Sequence, residues 1–148
     1  MHAPLTNKTS AHTGLRNLVS LIVLPFSPAT ENVSIEGNDV IVSGASIRPL
    51  GLALHELATN AAKFGALSTK EGRVTVSWCT DPAEEGDLVR IIWTESGGPA
   101  VQAPSRRGFG SKLIEQTLPY ELGGEVVLGF PRTGVRCEFV LPVREGLL

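Results

Sequence analysis

Three polar residues in the middle of the chain have types and a spacing that could act on a phosphorylated ligand. Glu56, Asn60 and Lys63 lie at positions i, i+4 and i+7, a spacing that aligns side chains along one stripe of an α-helix. A carboxylate can accept a proton, a carboxamide oxygen can bind a hard cation, and an ammonium group can contact phosphate. An ordinary solvated helix face would show the same residues, so on the helix alone both interpretations stay open.

The segment that carries this stripe has helix signals at both ends. Residues Arg48 to Phe64 are rich in Leu and Ala, Ser46 is a candidate N-cap, Pro49 lies near the first turn and Gly65 follows the last. When successive residues are placed 100° apart around the helix axis, the polar residues fall on one arc and the apolar residues on the opposite face. Leu52 is the one apolar residue on the polar side. The predicted polar arc contains His55, Glu56, Thr59, Asn60 and Lys63. The predicted buried face contains Leu50, Leu54, Leu57, Ala58, Ala61, Ala62 and Phe64.

A glycine-containing stretch further along the chain could bind an anion. Residues 96–110 contain repeated glycines and two prolines, and a second predicted helix, Ser111–Leu122, begins directly after them. Glycine lets backbone amides approach an anion closely, and a helix N-terminus presents unpaired N–H groups. A nucleotide is therefore a suitable ligand, although neither GxGxxG nor GxxxxGK[ST] occurs in the required context, which disfavours Rossmann and P-loop folds. A flexible surface connection would have the same composition.

The remaining segments predict an α+β fold. We expect a helix over Leu15–Leu24, a hairpin of residues 33–36 with 40–42, paired antiparallel strands over 74–78 and 88–93, and final strands over 125–130 and 135–141. Helices on one face of a mixed, mostly antiparallel sheet bury both apolar surfaces, so we expect a two-layer α/β sandwich. Residues 1–14 are expected to be a tail, disordered or left over from a cut, and residues 15–148 to form the domain.

Composition narrows the classes of function. The 148 residues are 42% hydrophobic and 19% charged, which suits one packed domain rather than a disordered chain. A net charge of -2 supplies no basic field, so no nucleic-acid partner is expected. The longest apolar run, Leu18–Phe26, is about half of the ~20 residues needed to cross a bilayer. Cys79 and Cys137 lack metal or disulfide spacing, and we interpret both as core residues of a protein in a reducing, cytosolic setting.

Taken together, these motifs resemble those of the GHKL ATP-binding fold. The segment His55–Leu67, HELATNAAKFGAL, is similar to the N box of this fold in the variant found in HWE sensor histidine kinases. Trp93-Thr94-Glu95 is similar to the Trp-x-Glu of that family's first glycine box. Gly108–Ser111 resembles the second glycine box, and Gly134–Pro142 the closing segment. The resemblance covers residues 15 to 143, with the motifs in family order.

The resemblance implies a role for each residue of the polar stripe. Glu56, with His55 beside it, would polarise the attacking group or accept its proton. Asn60 would hold Mg²⁺ at the phosphates of ATP, and Lys63 would contact a phosphate. Glu95 stands where the wider fold has an Asp that bonds the adenine amino group. Phosphoryl transfer depends mainly on such positioning and charge neutralisation.

The same resemblance assigns the glycines to the nucleotide pocket. Gly97 would let the base lie against the backbone, and Gly108 and Gly110 would flank a lid over the triphosphate. Arg107, together with Arg106, would approach the γ-phosphate or form a solvated surface pair. The implied ATP-binding set is Asn60, Lys63, Glu95, Gly97, Gly98, Arg107, Gly108, Gly110 and Ser111.

A phosphoacceptor domain is not found in this sequence. His12 lies in a segment that departs from the family's acceptor motif, and the residues between His12 and His55 leave no room for a helical hairpin. We therefore expect the monomeric catalytic domain of a longer protein-histidine kinase, unable to autophosphorylate alone. Its partners would be the dimerisation domain that carries the acceptor histidine and a response regulator. The parent protein would be cytoplasmic or membrane-anchored.

Two other interpretations stay open. The chain could be a stand-alone GHKL ATPase or a Ser/Thr kinase of the anti-sigma type, which phosphorylates a hydroxyl group of another protein. It could also be a GHKL-like phosphotransfer or binding module that no longer uses nucleotide. The Glu56 and Asn60 side chains argue against the second, and His55 and Trp93 favour histidine phosphorylation by family analogy alone.

Overall fold

A five-stranded sheet forms one layer of the fold. The computed structural model describes residues 11–100 and 113–148. The strands there are β1 (Thr13–Gly14), β2 (Val33–Gly37), β3 (Ile41–Val42), β4 (Arg73–Asp81), β5 (Leu88–Ser96), β6 (Glu125–Gly129) and β7 (Arg136–Pro142). The order in the large sheet is β2-β4-β5-β7-β6, with β2 parallel to β4 and the other neighbours antiparallel. β1 and β3 form a separate two-stranded sheet.

Helices form the second layer. They are α1 (Leu15–Val23), α2 (Gly44–Phe64) and α3 (Leu118–Leu122), with 3₁₀ turns at Leu24–Phe26, Thr30–Asn32 and Ala66–Ser68 and a π-helical segment at Leu113–Thr117. The described part of the predicted Ser111–Leu122 helix is thus π-helical before it becomes α-helical. None of the helices in residues 11–100 and 113–148 is both long and apolar enough to cross a bilayer.

The core lies between the two layers. Along each central strand every second side chain is buried, as expected for a sheet covered on one face. These inward residues are Val74, Val76 and Trp78 on β4, Val89, Ile91 and Trp93 on β5, and Cys137, Phe139 and Leu141 on β7. The helices bury Leu15, Leu18, Val19 and Val23 of α1 and Leu50, Ala53, Leu54, Leu57, Ala58 and Ala61 of α2 against them. The predicted two-layer α+β fold is confirmed.

The predicted hairpin between residues 33–36 and 40–42 is wrong. β2 instead pairs in parallel with β4, and β3 pairs with β1. Trp78 holds the connecting segment against β4, because its Nε1 donates to the carbonyl of Asn38 at 2.7 Å and its ring packs on Gly37. A side chain at Gly37 would collide with that ring. The strand partners lie far away in the sequence.

Helix α2 begins four residues before the predicted start at Arg48. Its N-cap is Ser43 rather than Ser46, and Ser46 is buried in the first turn. The Ser43 hydroxyl donates to the carbonyl of Leu148 at 3.0 Å, and its Oγ lies within hydrogen-bond distance of Ser46 Oγ, at 3.2 Å. Pro49 consequently lies inside the helix, where it lacks the N–H that would bond to the preceding turn. The predicted end is confirmed, since the Gly65 N–H donates to the Ala61 carbonyl at 3.0 Å.

Two residues predicted to be buried are exposed. Cys79 follows the inward-facing Trp78, so the alternation of the strand turns its side chain to the outer face of the sheet. Phe64 is the last residue of α2 and is 75% exposed. Ala66 and Leu67 fill the core at this end of the helix, and both are buried. Cys137 is buried, as predicted.

Candidate nucleotide-binding site

The polar stripe of α2, defined as Glu56, Asn60 and Lys63, lies away from the core. Asn60 and Lys63 are exposed and Glu56 is partly buried. The Thr59 hydroxyl donates to the Glu56 backbone carbonyl at 3.0 Å. That bond occupies the hydroxyl within the helix. The carboxylate, carboxamide and ammonium groups therefore line one open face of α2.

His55 contacts the segment that follows α1. Its ring lies 5.3 Å from the ring of Phe26, at an interplanar angle of 79°. This edge-to-face arrangement is a favourable geometry for aromatic pairs. His55 is itself exposed, so the contact orients the imidazole at the start of the polar stripe without burying it.

The end of α2 is joined to β5 by one buried carboxylate. Glu95 is 4% exposed, and its Oε1 accepts a hydrogen bond from the Ala66 N–H at 3.0 Å. Its Oε2 accepts a hydrogen bond from Trp93 Nε1 at 2.9 Å. Ala66, just beyond the end of α2, and Glu95 of β5 are 29 residues apart in sequence and meet at this point.

Burial raises the pKa of the Glu95 carboxyl, because the charged form loses its hydration. The hydrogen bonds from Trp93 and Ala66 act in the opposite direction, since both donate to the carboxylate. The side chain is thus held by neutral donors in a largely dry environment.

Glycines make this close approach possible. A Cβ atom at Gly65 would collide with Glu95 Oε1, and one at Gly134 would collide with the Glu95 backbone carbonyl. Gly98 packs on Ala66, where a Cβ would lie 2.7 Å from the Ala66 Cα. Gly97 has a φ of +73°, and a Cβ there would lie 2.6 Å from the Glu71 carbonyl oxygen. The assignment of Gly97 and Gly98 to a nucleotide pocket stays a prediction, and the structure shows that their backbone needs glycine for packing.

Several predicted site residues lie outside the described part of the chain. Arg106, Arg107, Gly108, Gly110 and Ser111 belong to this group. Their assignment to a lid remains a prediction. Among the described residues, no group of three or more His, Cys, Asp or Glu side chains could hold a metal ion.

Sequence reasoning missed two features of this region. Phe64 is exposed directly after Lys63, which leaves an aromatic ring at the end of the polar stripe. The sequence signal for this exposure was the position of Phe64 at the predicted end of the helix, just before Gly65. The Trp93 indole was recognised only as part of a motif, because its bond to Glu95 depends on both side chains sharing one face of β5.

Curated proteins with similar sequences include blue-light-activated histidine kinases. The chain is 38% identical over 133 residues to blue-light-activated histidine kinase 1 of Erythrobacter litoralis. This alignment covers 87% of the chain and 36% of that protein. It is 31% identical over 143 residues to the blue-light-activated histidine kinase of Brucella ovis, covering 96% of this chain and 29% of that protein. The chain thus spans about a third of the length of these relatives. No family model matches it.

Solved structures with a similar fold include histidine kinase domains. The catalytic domain of histidine kinase ThkA superposes with a TM-score of 0.65 at 19% identity, covering 89% of this chain and 95% of that one. The histidine kinase domain of the Erythrobacter litoralis EL346 blue-light-activated kinase gives a TM-score of 0.59 at 20% identity, covering 84% and 57%. At these identities the likeness establishes the fold.

Proposed function

This chain has the sequence and fold of a histidine kinase catalytic domain, and from that premise we propose that it binds ATP and transfers the γ-phosphoryl group to a histidine on a separate dimerisation domain. One observation carries the proposal. Asn60 and Lys63 are exposed in the last two turns of α2, and Ala66 just beyond that helix is hydrogen-bonded to Glu95, so the groups proposed for phosphate and the group proposed for the base lie at the same end of α2.

Glu56 and His55 are the proposed catalytic residues. The partly buried Glu56 carboxylate would accept a proton from the attacking imidazole or polarise it. His55, oriented by its contact with Phe26, would stand beside it. Phosphoryl transfer depends mainly on positioning and on neutralisation of phosphate charge. The acid–base groups therefore contribute by reaching the reacting atoms, and no covalent intermediate with the protein is needed.

Asn60 and Lys63 are the proposed phosphate-side residues. A carboxamide oxygen suits Mg²⁺, which keeps several waters and binds through few protein ligands together with phosphate oxygens. The donor set therefore fits a cation that arrives with ATP. When bound, the ion would neutralise phosphate charge. The exposed Lys63 ammonium would contact a phosphate directly.

The base is proposed to lie near Glu95, Gly97 and Gly98. Glu95 would accept from the adenine amino group, and the exposed ring of Phe64 offers a surface on which a base can stack. Arg107, Gly108, Gly110 and Ser111 would close over the phosphates as the resemblance implies.

Three finer assignments belong to this proposal. We assign the chain to the HWE group of these kinases, an assignment supported by His55 and the Trp93-x-Glu95 motif. Membership of a two-component pathway follows from the proposed chemistry, because a phosphohistidine is a donor for onward transfer to a response regulator. The domain would act in the cytoplasm, where ATP is present.

Calorimetry followed by a transfer assay tests the proposal. The chain is titrated with ATP and Mg²⁺, then mixed with a separately expressed dimerisation helix pair from a relative and radiolabelled ATP. We expect binding, followed by acid-labile label on the histidine of the added protein. A Glu56→Gln variant should still bind ATP but lose transfer.

The other outcomes identify the alternatives. Binding and hydrolysis without label on histidine would favour a GHKL ATPase, and acid-stable label on a hydroxyl group would favour a Ser/Thr kinase. No heat with millimolar ATP would favour a module that does not use nucleotide. Each of these results contradicts histidine phosphorylation by this chain.

A further inference from the structure

We propose that Trp93 is a positioning residue for base recognition: its indole N–H fixes the Glu95 carboxylate so that it can accept the 6-amino group of adenine. This inference rests on the proposed function, since it requires that ATP binds beside Glu95. It goes further by assigning nucleotide selectivity to a buried side chain that need not touch the nucleotide.

The carboxylate is held at both oxygens. Trp93 Nε1 donates to Oε2 at 2.9 Å, and the Ala66 N–H donates to Oε1 at 3.0 Å. One donor on each oxygen fixes the plane of the carboxylate. A carboxylate has about four acceptor sites, so two remain for a further donor.

The indole donor is itself rigid. Trp93 is 0% exposed and lies on the inner face of β5, where its register partners are Val76 on β4 and Cys137 on β7. A side chain packed on all sides keeps its rotamer, and its N–H therefore keeps its direction. Glu95 lies two residues later on the same face of the strand, which brings its carboxylate within reach of the indole.

The longer side chain of Glu explains why such a device is needed. Compared with Asp, Glu has one more rotatable bond, and an acceptor that is free to rotate gives weak discrimination. Gly65 and Gly134 pack closely against Glu95 and limit the space around its side chain. Their N–H groups bond to the Ala61 and Pro131 carbonyls and not to the carboxylate. Within the described residues the two N–H donors are the groups that orient it.

An oriented carboxylate should select for an amino group at position 6 of the purine. A site built to accept from a donor rejects an analogue that lacks it more strongly than an apolar pocket would. The probe is therefore purine riboside triphosphate, which carries hydrogen in place of the amino group and is otherwise the same as ATP.

The test is a four-way comparison by calorimetry with the full chain and Mg²⁺. We expect the wild-type protein to bind ATP about ten-fold or more tightly than the analogue, the size typical of a hydrogen bond to a charged group. In Trp93→Phe the ratio should fall to about three-fold or less, through loss of ATP affinity with affinity for the analogue unchanged. A merely structural role would weaken both nucleotides equally, which would overturn the inference.

Trp78→Phe is the matched control. Trp78 lies on the same face of the neighbouring strand, is 6% exposed and donates its indole N–H to the Asn38 carbonyl. The substitution removes the same atoms from the same layer, and the wild-type ratio should persist. A ratio that falls equally in both variants would contradict a specific role for Trp93.

The wild-type protein offers a second measurement that needs no folded Trp93 variant. The chain has two tryptophans, so two indole N–H signals are expected in a ¹⁵N correlation spectrum. Trp78→Phe assigns them. ATP should shift the Trp93 signal more than the analogue does. The 6-amino group of adenine would donate to the Glu95 carboxylate and draw electron density from it, which changes the hydrogen bond that the same carboxylate accepts from the Trp93 indole. Equal shifts would overturn the inference, whereas failure of the wild type to bind either nucleotide would overturn the proposed function itself.

Discussion

Glu95 carries a negative charge into the core, and stability should therefore depend on pH. Burial raises its pKa in the folded state above the unfolded value of about 4.3. The folded state then binds the proton more tightly, so the contribution of this group is fully present below pH 4.3 and is lost as pH rises through the folded pKa. In urea titrations we expect Glu95→Gln to show a smaller fall of unfolding free energy over this range. Glu125→Gln, on the exposed side of β6, should keep the wild-type profile.

Asn60 should matter for nucleotide binding and little for folding. Its side chain is exposed, so Asn60→Ala should change the unfolding free energy by no more than about 0.5 kcal/mol. Affinity for Mg²⁺-ATP should fall by about ten-fold or more, as loss of a contact to a charged ligand implies. Asn17→Ala, which removes an exposed Asn from α1, is the control and should bind as wild type. Loss of the cooperative melting transition in Asn60→Ala would show that the residue is structural.

Among the elements, α2 has the clearest division between its two faces. Leu57 is 3% exposed and Leu52 is 39% exposed, although both are leucines of the same helix. Leu57→Ala should destabilise the fold by about 2–5 kcal/mol, as expected for truncation in a core. Leu52→Ala should change stability by about 0.5 kcal/mol or less. Equal effects of the two substitutions in chemical denaturation would contradict the orientation of the helix.

Strand β2 lies at an edge of the sheet and is secured by Arg16 of α1. The guanidinium donates to the Ile35 carbonyl at 2.7 Å and to the Gly37 carbonyl at 3.1 Å, and it lies 5.7 Å from the Trp78 ring centroid. We expect Arg16→Ala to cost about 1–2 kcal/mol in urea unfolding. Arg48→Ala, an exposed arginine of α2, should be neutral by the same measurement.

Arg16→Lys separates charge from geometry at this edge. An ammonium group keeps the charge, but it lacks the planar fork that reaches two carbonyl groups at once. We therefore expect a loss of stability close to that of Arg16→Ala. Full retention of stability would show that charge alone secures β2.

For the molecule as a whole, local signals predicted the elements better than their partners. Helix α2 and strands β4, β5 and β7 were predicted at these places in the chain, because the signal for each is complete within its own segment. The parallel pairing of β2 with β4 was not, since nothing in residues 33–42 specifies a partner some 40 positions away. The candidate site was predictable to the same extent. Its residue types could be recognised in the sequence, whereas the hydrogen bond between Ala66 and Glu95 depends on how the two layers pack.

The short strand β3 brings the two ends of the described chain together. Gly14 pairs with Ile41 on one side, and Leu147 bridges to the same residue on the other. Neighbouring strands lie about 4.8 Å apart, so positions 14 and 147 should be separated by roughly 10 Å. A linker of a few residues could join them, with new termini opened in the exposed turn at residues 82–87. Such a circular permutant should unfold cooperatively like the original chain, which would make the domain a candidate for insertion into a host protein.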